Sequence, residues 1–266
     1  MFKVKDCDIE YTEHEKIKEI LARIYEVYEA PGSGGKRGIG ELGEKIFHRA
    51  VKYYIEPDEG RHEITVGSYV ADIMRDGEVT EIQTGSFRSM YEKNKFYIAK
   101  PDIKSVTVVY PVRSVRHLCW VDKETGELSK STRSPKFNDI YVIYPEIYYL
   151  KDFLASDKFT LKIILTEVTE MKYLDGWSKN KKAGATKIDA IPISVIKVLT
   201  LSGLSGCKRL FPPAVTEMPM FTAKDLAQFS QVSGRPLYSF LRSMRELGVI
   251  RKEGKKGNSD IYIFTV

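Results

Sequence analysis

The run Ile103 to Pro111, IKSVTVVYP, limits the choice of fold more than any other stretch of the chain. Val106 and Val108 lie on one face and Val109 on the other, so both faces of the strand they form need cover. A strand of that kind belongs inside a mixed sheet with helices packed on it.

The flanking patterns supply those helices. Ile17, Ile20, Leu21, Ile24, Tyr25 and Tyr28 recur at helical spacing over about Glu13 to Glu29, with Thr12 as N-cap and Glu15 three residues on. After the loop PGSGGKRGIG, a second helix is expected from about Gly40 to Tyr54, burying Leu42, Ile46, Phe47, Ala50 and Tyr53. HEITVGSYVADIM and EVTEIQTGSF read as consecutive strands, turning at Gly67-Ser68 and Asp76-Gly77. A helix from about Phe87 to Phe96 precedes the apolar run, and HLCWVD follows it as a further strand. The expected class is therefore α/β.

Beyond Asp122 the pattern gives a polar turn and basic loop (ETGELSKSTRSPKFND), a helix over Ile140 to Leu150 and a strand LKIILTEV. The lysine-rich DGWSKNKKAGATK takes no assignment. The last 50 residues are more regular. Thr222 with Asp225 opens a short helix through Phe229, and Val232-Ser233-Gly234 makes a turn. A longer helix then carries Leu237, Phe240, Leu241, Met244 and Leu247 on one face, with Gly248 at its end. VIRKE and DIYIFTV flank GKKGNS as a β-hairpin. Helix, turn, helix and basic hairpin is the winged-helix order, so two domains are expected, residues 1–212 and 213–266.

Charge supports a division of labour. Of the formal +6, the chain from Met171 onward holds 16 Lys+Arg against 7 Asp+Glu, which leaves the first 170 residues slightly acidic. A cationic part beside one with clustered carboxylates suits a polyanion-binding protein. With 42% apolar and 29% charged residues the composition excludes disorder and fibrous classes. No apolar stretch reaches the length of a membrane span and the start lacks a signal-peptide core, so a cytoplasmic protein is expected. Cys7, Cys119 and Cys207 are too scattered for a disulfide framework or a zinc site.

The chemistry centres on Asp72 in SYVADIM and on Glu81 and Gln83 in the next strand. Across the Asp76-Gly77 turn the strands pair antiparallel, and positions i and i+2 share a face. Two carboxylates brought together this way repel each other and form good oxygen ligands for Mg²⁺.

In these residues the chain resembles the PD-(D/E)XK nuclease superfamily, whose Asp and (Asp/Glu)-x-Lys on neighbouring strands bind a catalytic metal. The resemblance covers about residues 40 to 121: helix, Asp72 strand, Glu81-Ile82-Gln83 strand, helix, buried VTVVY strand. It implies a restriction-endonuclease-like mixed sheet flanked by helices, with Asp72 and Glu81 as ligands of Mg²⁺ (or Mn²⁺) and Ile82 lending its carbonyl. Glu44, or in its place Glu41, would add an acidic group from the preceding helix. Gln83 stands where Lys is usual, a departure shared by some type II restriction endonucleases, and would orient the attacking water. Arg88 or Lys95 could supply the missing cation, although a solvated surface charge is the plainer reading of each.

Other motifs carry less. PGSGGKRG follows a helix and has Arg after its Lys, unlike a phosphate-binding loop. His48, four residues after Glu44, could reach the same site, although an edge-of-core residue is the plainer reading, and His117, beside Trp120, reads as a packing residue. On the C-terminal domain, Arg235, Tyr238, Ser239 and Arg242 point outward from the start of the second helix, the part that enters the major groove in helix-turn-helix proteins. Arg251, Lys252, Lys255 and Lys256 on the wing would meet phosphates. The expected function is a metal-dependent DNA endonuclease, working as a homodimer where both strands are cut. The competing reading is a catalytically inactive DNA-binding regulator or adaptor on the same fold.

Overall fold

A computed structural model describes residues 11–29, 46–173 and 186–266. They fall into two compact units, one of Met1–Gly60, Arg113–Phe137 and Ile164–Lys197, the other of Arg61–Val112, Asn138–Ile163 and Val198–Val266.

In the first unit, helix α1 (Tyr11–Glu29) and helix α2 (Ile46–Ile55) pack through Ile24, Ala50 and Tyr53, with Ile20 and Leu21 against them. The helix begins at Tyr11, so Thr12 lies inside α1 instead of capping it. The expected residues 40–45 of the second helix lie outside the described residues.

The second unit opens with an antiparallel meander of β1 (His62–Val66), β2 (Tyr69–Arg75) and β3 (Glu78–Ile82). Asp76 and Gly77 both take positive φ, 51° and 85°, the turn geometry that matches the twist of a hairpin. This turn fixes which residues of β2 and β3 meet. A 3-10 turn (Phe87–Met90) and helix α3 (Tyr91–Ala99) lead to β4 (Ser105–Val121), whose start runs parallel to β3. Val106, Val108 and Val109 are fully buried, as a run apolar on both faces requires.

β4 continues where two separate strands were expected. Arg113 and Arg116, in the stretch between the two expected strands, both reach the buried Glu170, so the strand carries its charges inward. The short β5 (Thr132–Arg133) pairs with β4. Helix α4 (Tyr144–Leu154) follows, then β6 (Phe159–Tyr173) and β7 (Thr186–Ser202). The sheet order is β1-β2-β3-β4-β6-β7. β7 was not anticipated, because Pro192 and a lysine-rich approach mask its alternation.

Two short turns, α5 (Gly203–Cys207) and α6 (Pro213–Thr216), precede a second, three-stranded sheet. It consists of β8 (Phe221–Thr222), β9 (Ile250–Lys256) and β10 (Ser259–Phe264), in the order β8-β10-β9. Between β8 and β9 lie α7 (Ala223–Ser230), opened by a Thr222–Asp225 capping box, and α8 (Gly234–Glu246). Gly248, at φ 72°, ends α8 as expected.

This C-terminal block is built into the second unit through α4. The Tyr144 ring stacks on Phe240 at 3.8 Å with the planes 3° apart, and its hydroxyl donates to the Leu210 carbonyl at 3.0 Å. Phe211 adds contacts to Phe221, Phe240 and Phe264. No helix among the described residues is long and apolar enough to cross a membrane. Phe240→Ala should therefore lower stability by about 3–5 kcal/mol, read by denaturant unfolding. A loss under 1 kcal/mol would mean that α4 and α8 are not packed through this stack.

Candidate functional site

The β2–β3 register pairs Ile73 with Thr80 and Met74 with Val79, and one step further it sets Asp72 opposite Glu81. Asp72 Oδ2 accepts a hydrogen bond from the Ile82 N–H at 2.7 Å, which fixes the carboxylate against β3. Glu81 is only 2% exposed. The two residues thus come together as their spacing predicted.

Sequence reasoning missed the cation. Lys93 Nζ lies 2.6 Å from Glu81 Oε2, and its side chain is 20% exposed. Arg88 and Lys95, the candidates from sequence, are both exposed. The phase of α3 in the structure separates them: Asn94 and Tyr97 are its buried positions. At 100° per residue, Lys93 lies about 40° from Tyr97 around the helix and Lys95 about 160°. Tyr97, one turn after Lys93, is fully buried, and its hydroxyl lies beside Glu81 without meeting hydrogen-bond geometry. Burial, then the charge of Glu81, holds that hydroxyl protonated, far above the ordinary tyrosine range.

Burial also dominates at Glu81, and with the repulsion of Asp72 it pushes the carboxyl up to about 7, against the opposing pull of Lys93. Glu81 Oε1 is buried and has no hydrogen-bond partner among the described residues. A carboxylate oxygen left so, beside a second carboxylate, is what a hard divalent cation would satisfy, and in donor chemistry the pair fits Mg²⁺ or Mn²⁺. Among the described residues no group of three His, Cys, Asp or Glu comes together. Glu44 and Glu41 lie outside the described residues.

Gln83 follows Glu81 in the strand direction, and its N–H extends the ladder to the Val109 carbonyl at 2.9 Å. Its amide, expected to orient water, instead spans the loop after β3. Nε2 donates to Ser86 O and to Ser89 Oγ, both at 3.1 Å, and Oε1 accepts from Gly85 N at 3.0 Å. Glu146, in the first turn of α4, holds the same loop by accepting from Ser86 Oγ and Phe87 N, each at 2.9 Å. The loop is thereby held from two sides.

On the C-terminal block, Arg235, Tyr238, Ser239 and Arg242 line a cleft of ≈ 690 Å³ together with Tyr148 and Tyr149 of α4. This face of α8 is therefore flanked by α4. Arg235 is exposed, whereas Arg242 is held by Glu246 at 2.7 Å. On the hairpin, Lys252 pairs with Asp260 at 2.7 Å and Arg251 with Glu253 at 3.0 Å. Lys255 and Lys256 are exposed and form no ion pair among the described residues. His48 is half-buried, as expected at the edge of the core. His117 has a polar role instead of a packing one, with Nε2 2.7 Å from Glu167 Oε1.

Residues 45–202 match a family described as "Domain of unknown function (DUF8091)". A protein of Treponema pallidum (strain Nichols), described as "Uncharacterized protein", is 27% identical over 228 residues, covering 84% of this chain and 86% of that one. No solved structure matches the chain.

The raised Glu81 has a sign that can be tested. Between an ordinary value of 4.5 and about 7, the unfolded chain has lost a proton that folded Glu81 keeps. Stability of the metal-free protein should therefore fall as pH rises through that window. Glu81→Gln should remove up to about 3 kcal/mol of this fall between pH 5 and pH 8, measured by denaturant unfolding in EDTA. An identical pH slope in both proteins would show that Glu81 titrates normally.

Proposed function

The chain belongs to the DUF8091 family, and we propose that it is a metal-dependent DNA endonuclease with a PD-(D/E)XK-like core and a winged helix that docks it on DNA. The observation that carries this reading is the meeting of Asp72, Glu81 and Lys93 on neighbouring strands and the following helix. The element order supports it: a helix, an antiparallel meander bearing both carboxylates, a helix, then a buried strand parallel to β3.

Asp72 and Glu81 would hold the ion. When bound, the ion polarises the scissile phosphate and lowers the pKa of a bound water. The residues of the chain do the rest. The Ile82 N–H orients Asp72, so its carboxylate needs little rearrangement. Lys93 supplies the positive charge that the neutral Gln83 lacks, close to where charge develops on phosphate. Gln83 and Glu146 hold the loop 83–89 in place beside the strand end. The C-terminal block gives the order helix, turn, helix, basic hairpin, and Lys255 and Lys256 on that hairpin would meet DNA phosphates. The proposed setting is the cytoplasm, with a homodimer wherever both strands are cut.

Asp72→Ala or Glu81→Ala should abolish Mg²⁺-dependent nicking of supercoiled plasmid while DNA affinity stays within a few fold. Lys93→Ala should slow cleavage by about a hundred-fold, and Gln83→Ala by less. Full activity in either carboxylate variant, or cleavage that survives EDTA, would contradict the chemistry. No cleavage by the wild-type protein, with DNA binding intact, would favour the inactive regulator. Lys255→Gln with Lys256→Gln should lower the salt slope of DNA binding by up to ~1.8, ~0.9 per lost phosphate contact. An unchanged slope in anisotropy titrations would remove the hairpin from the DNA interface.

A further inference from the structure

Helices α4 and α8 lie side by side in the second unit, which limits how the winged helix can meet DNA. The Tyr144–Phe240 stack and the Lys151–Glu246 ion pair hold them together, and a cleft of ≈ 690 Å³ is lined by the starts of both helices. An α-helix with its side chains is about 10–12 Å across and the major groove of B-DNA about 12 Å wide, so the groove admits one helix and not two abreast. The face of α8 that α4 flanks is therefore closed to the major groove of an intact duplex. A narrower occupant can reach it.

The cleft is rich in aromatic rings. Tyr148 of α4 is 42% exposed and Tyr238 of α8 is 60% exposed, and Tyr149 meets Tyr148 edge-on, with centroids 5.5 Å apart and planes at 82°. Exposed rings gathered in one concavity, unlike scattered ones, mark a binding surface. The Lys151 ammonium lies 5.0 Å from the centre of the Tyr148 ring, so that ring is held in place before any ligand arrives. Of the two arginines lining the cleft, Arg242 is tied to Glu246, whereas Arg235 is exposed and forms no ion pair among the described residues. Glu146, which also lines the cleft, is turned to the loop after β3, its Oε2 accepting from Ser86 Oγ and Phe87 N. Ser86 itself lines the cleft, so the cleft reaches the loop that follows Glu81 and Gln83.

We propose that this cleft takes an unpaired stretch of DNA, its bases stacking on Tyr148 and Tyr238 and a phosphate meeting Arg235. Stacking needs only the face of a base, and rings combined with a cation are what hold a single strand without regard to its sequence. The volume of ≈ 690 Å³ suits individual nucleotides and not a duplex, lying within the about 300–1,000 Å³ of pockets that enclose small ligands. A free arginine favours the anionic strand over a proline-rich peptide, which also docks on tyrosines. The proposal rests on the reading of the chain as a DNA nuclease and names its substrate: DNA with a frayed end, a flap or a junction. Lys255 and Lys256 on the hairpin remain exposed for the adjoining duplex.

The test uses the full chain in EDTA, titrated by anisotropy with a labelled single strand and with a blunt duplex of equal length. A second single strand carries the fluorescent base analogue aminopurine, whose emission falls when it stacks. The wild type should prefer the single strand and quench the analogue. Tyr148→Ala with Tyr238→Ala should weaken single-strand binding by about ten-fold or more and abolish the quenching, with duplex affinity nearly unchanged. Phenylalanine at both positions should restore binding, because the ring and not the hydroxyl carries it. Arg235→Gln should lower the single-strand salt slope by up to ~0.7. Tyr238→Ala alone, at the more exposed ring, serves if the double variant does not fold. Equal affinity for both DNAs, or single-strand binding and quenching that survive loss of the tyrosines, overturns the proposal and leaves the DNA reading standing; no binding to either DNA overturns both.

Discussion

A carboxylate buried to 2% exposure is costly to keep charged unless something close offsets it, and Glu81 is met by Lys93 at 2.6 Å. The pair needs two elements placed to a fraction of an ångström: β3, whose register follows from the Asp76-Gly77 turn, and α3, whose phase buries Tyr97 and swings Lys93 over the strand. Asp72 adds the opposing force. It sits across from Glu81 and raises the cost of the charged form, so the site is held between one attraction and one repulsion. The repulsion between the two carboxylates can be relieved by a proton or by a cation.

Helix α4 connects this site to the rest of the second unit. Its first turn holds the loop after β3 through Glu146, and Asp152 accepts from the Tyr91 hydroxyl of α3 at 2.9 Å. Its other contacts reach α8, by the Tyr144–Phe240 stack and the Lys151–Glu246 ion pair. A single helix therefore positions both the loop beside the carboxylates and the helix whose exposed face bears Arg235 and Tyr238. If DNA binds that face, its contacts are mechanically coupled to the loop through α4 and not through a flexible linker.

Much of this was legible in the sequence. Asp72 and Glu81 could be paired because period-2 alternation and an Asp-Gly turn determine register locally. The Thr222–Asp225 cap and Gly248 marked helix ends for the same reason. What escaped depends on contacts distant in the chain. The unbroken β4 needs Glu170 to receive Arg113 and Arg116, some 55 residues away. The engagement of Gln83 in its loop is coupled to Glu146, which lies 59 residues beyond Phe87. Lys93 was hidden differently: α3 buries a polar residue, Asn94, so apolar periodicity gave no phase from which to single out one lysine.

Anomalous diffraction from crystals soaked in Mn²⁺ would test the central claim most directly. The account predicts an anomalous peak with inner-sphere bonds to the carboxylates of Asp72 and Glu81. It would be contradicted by Glu81 still bound to Lys93, with no ion at the pair, in crystals where Mn²⁺ is seen elsewhere on the protein.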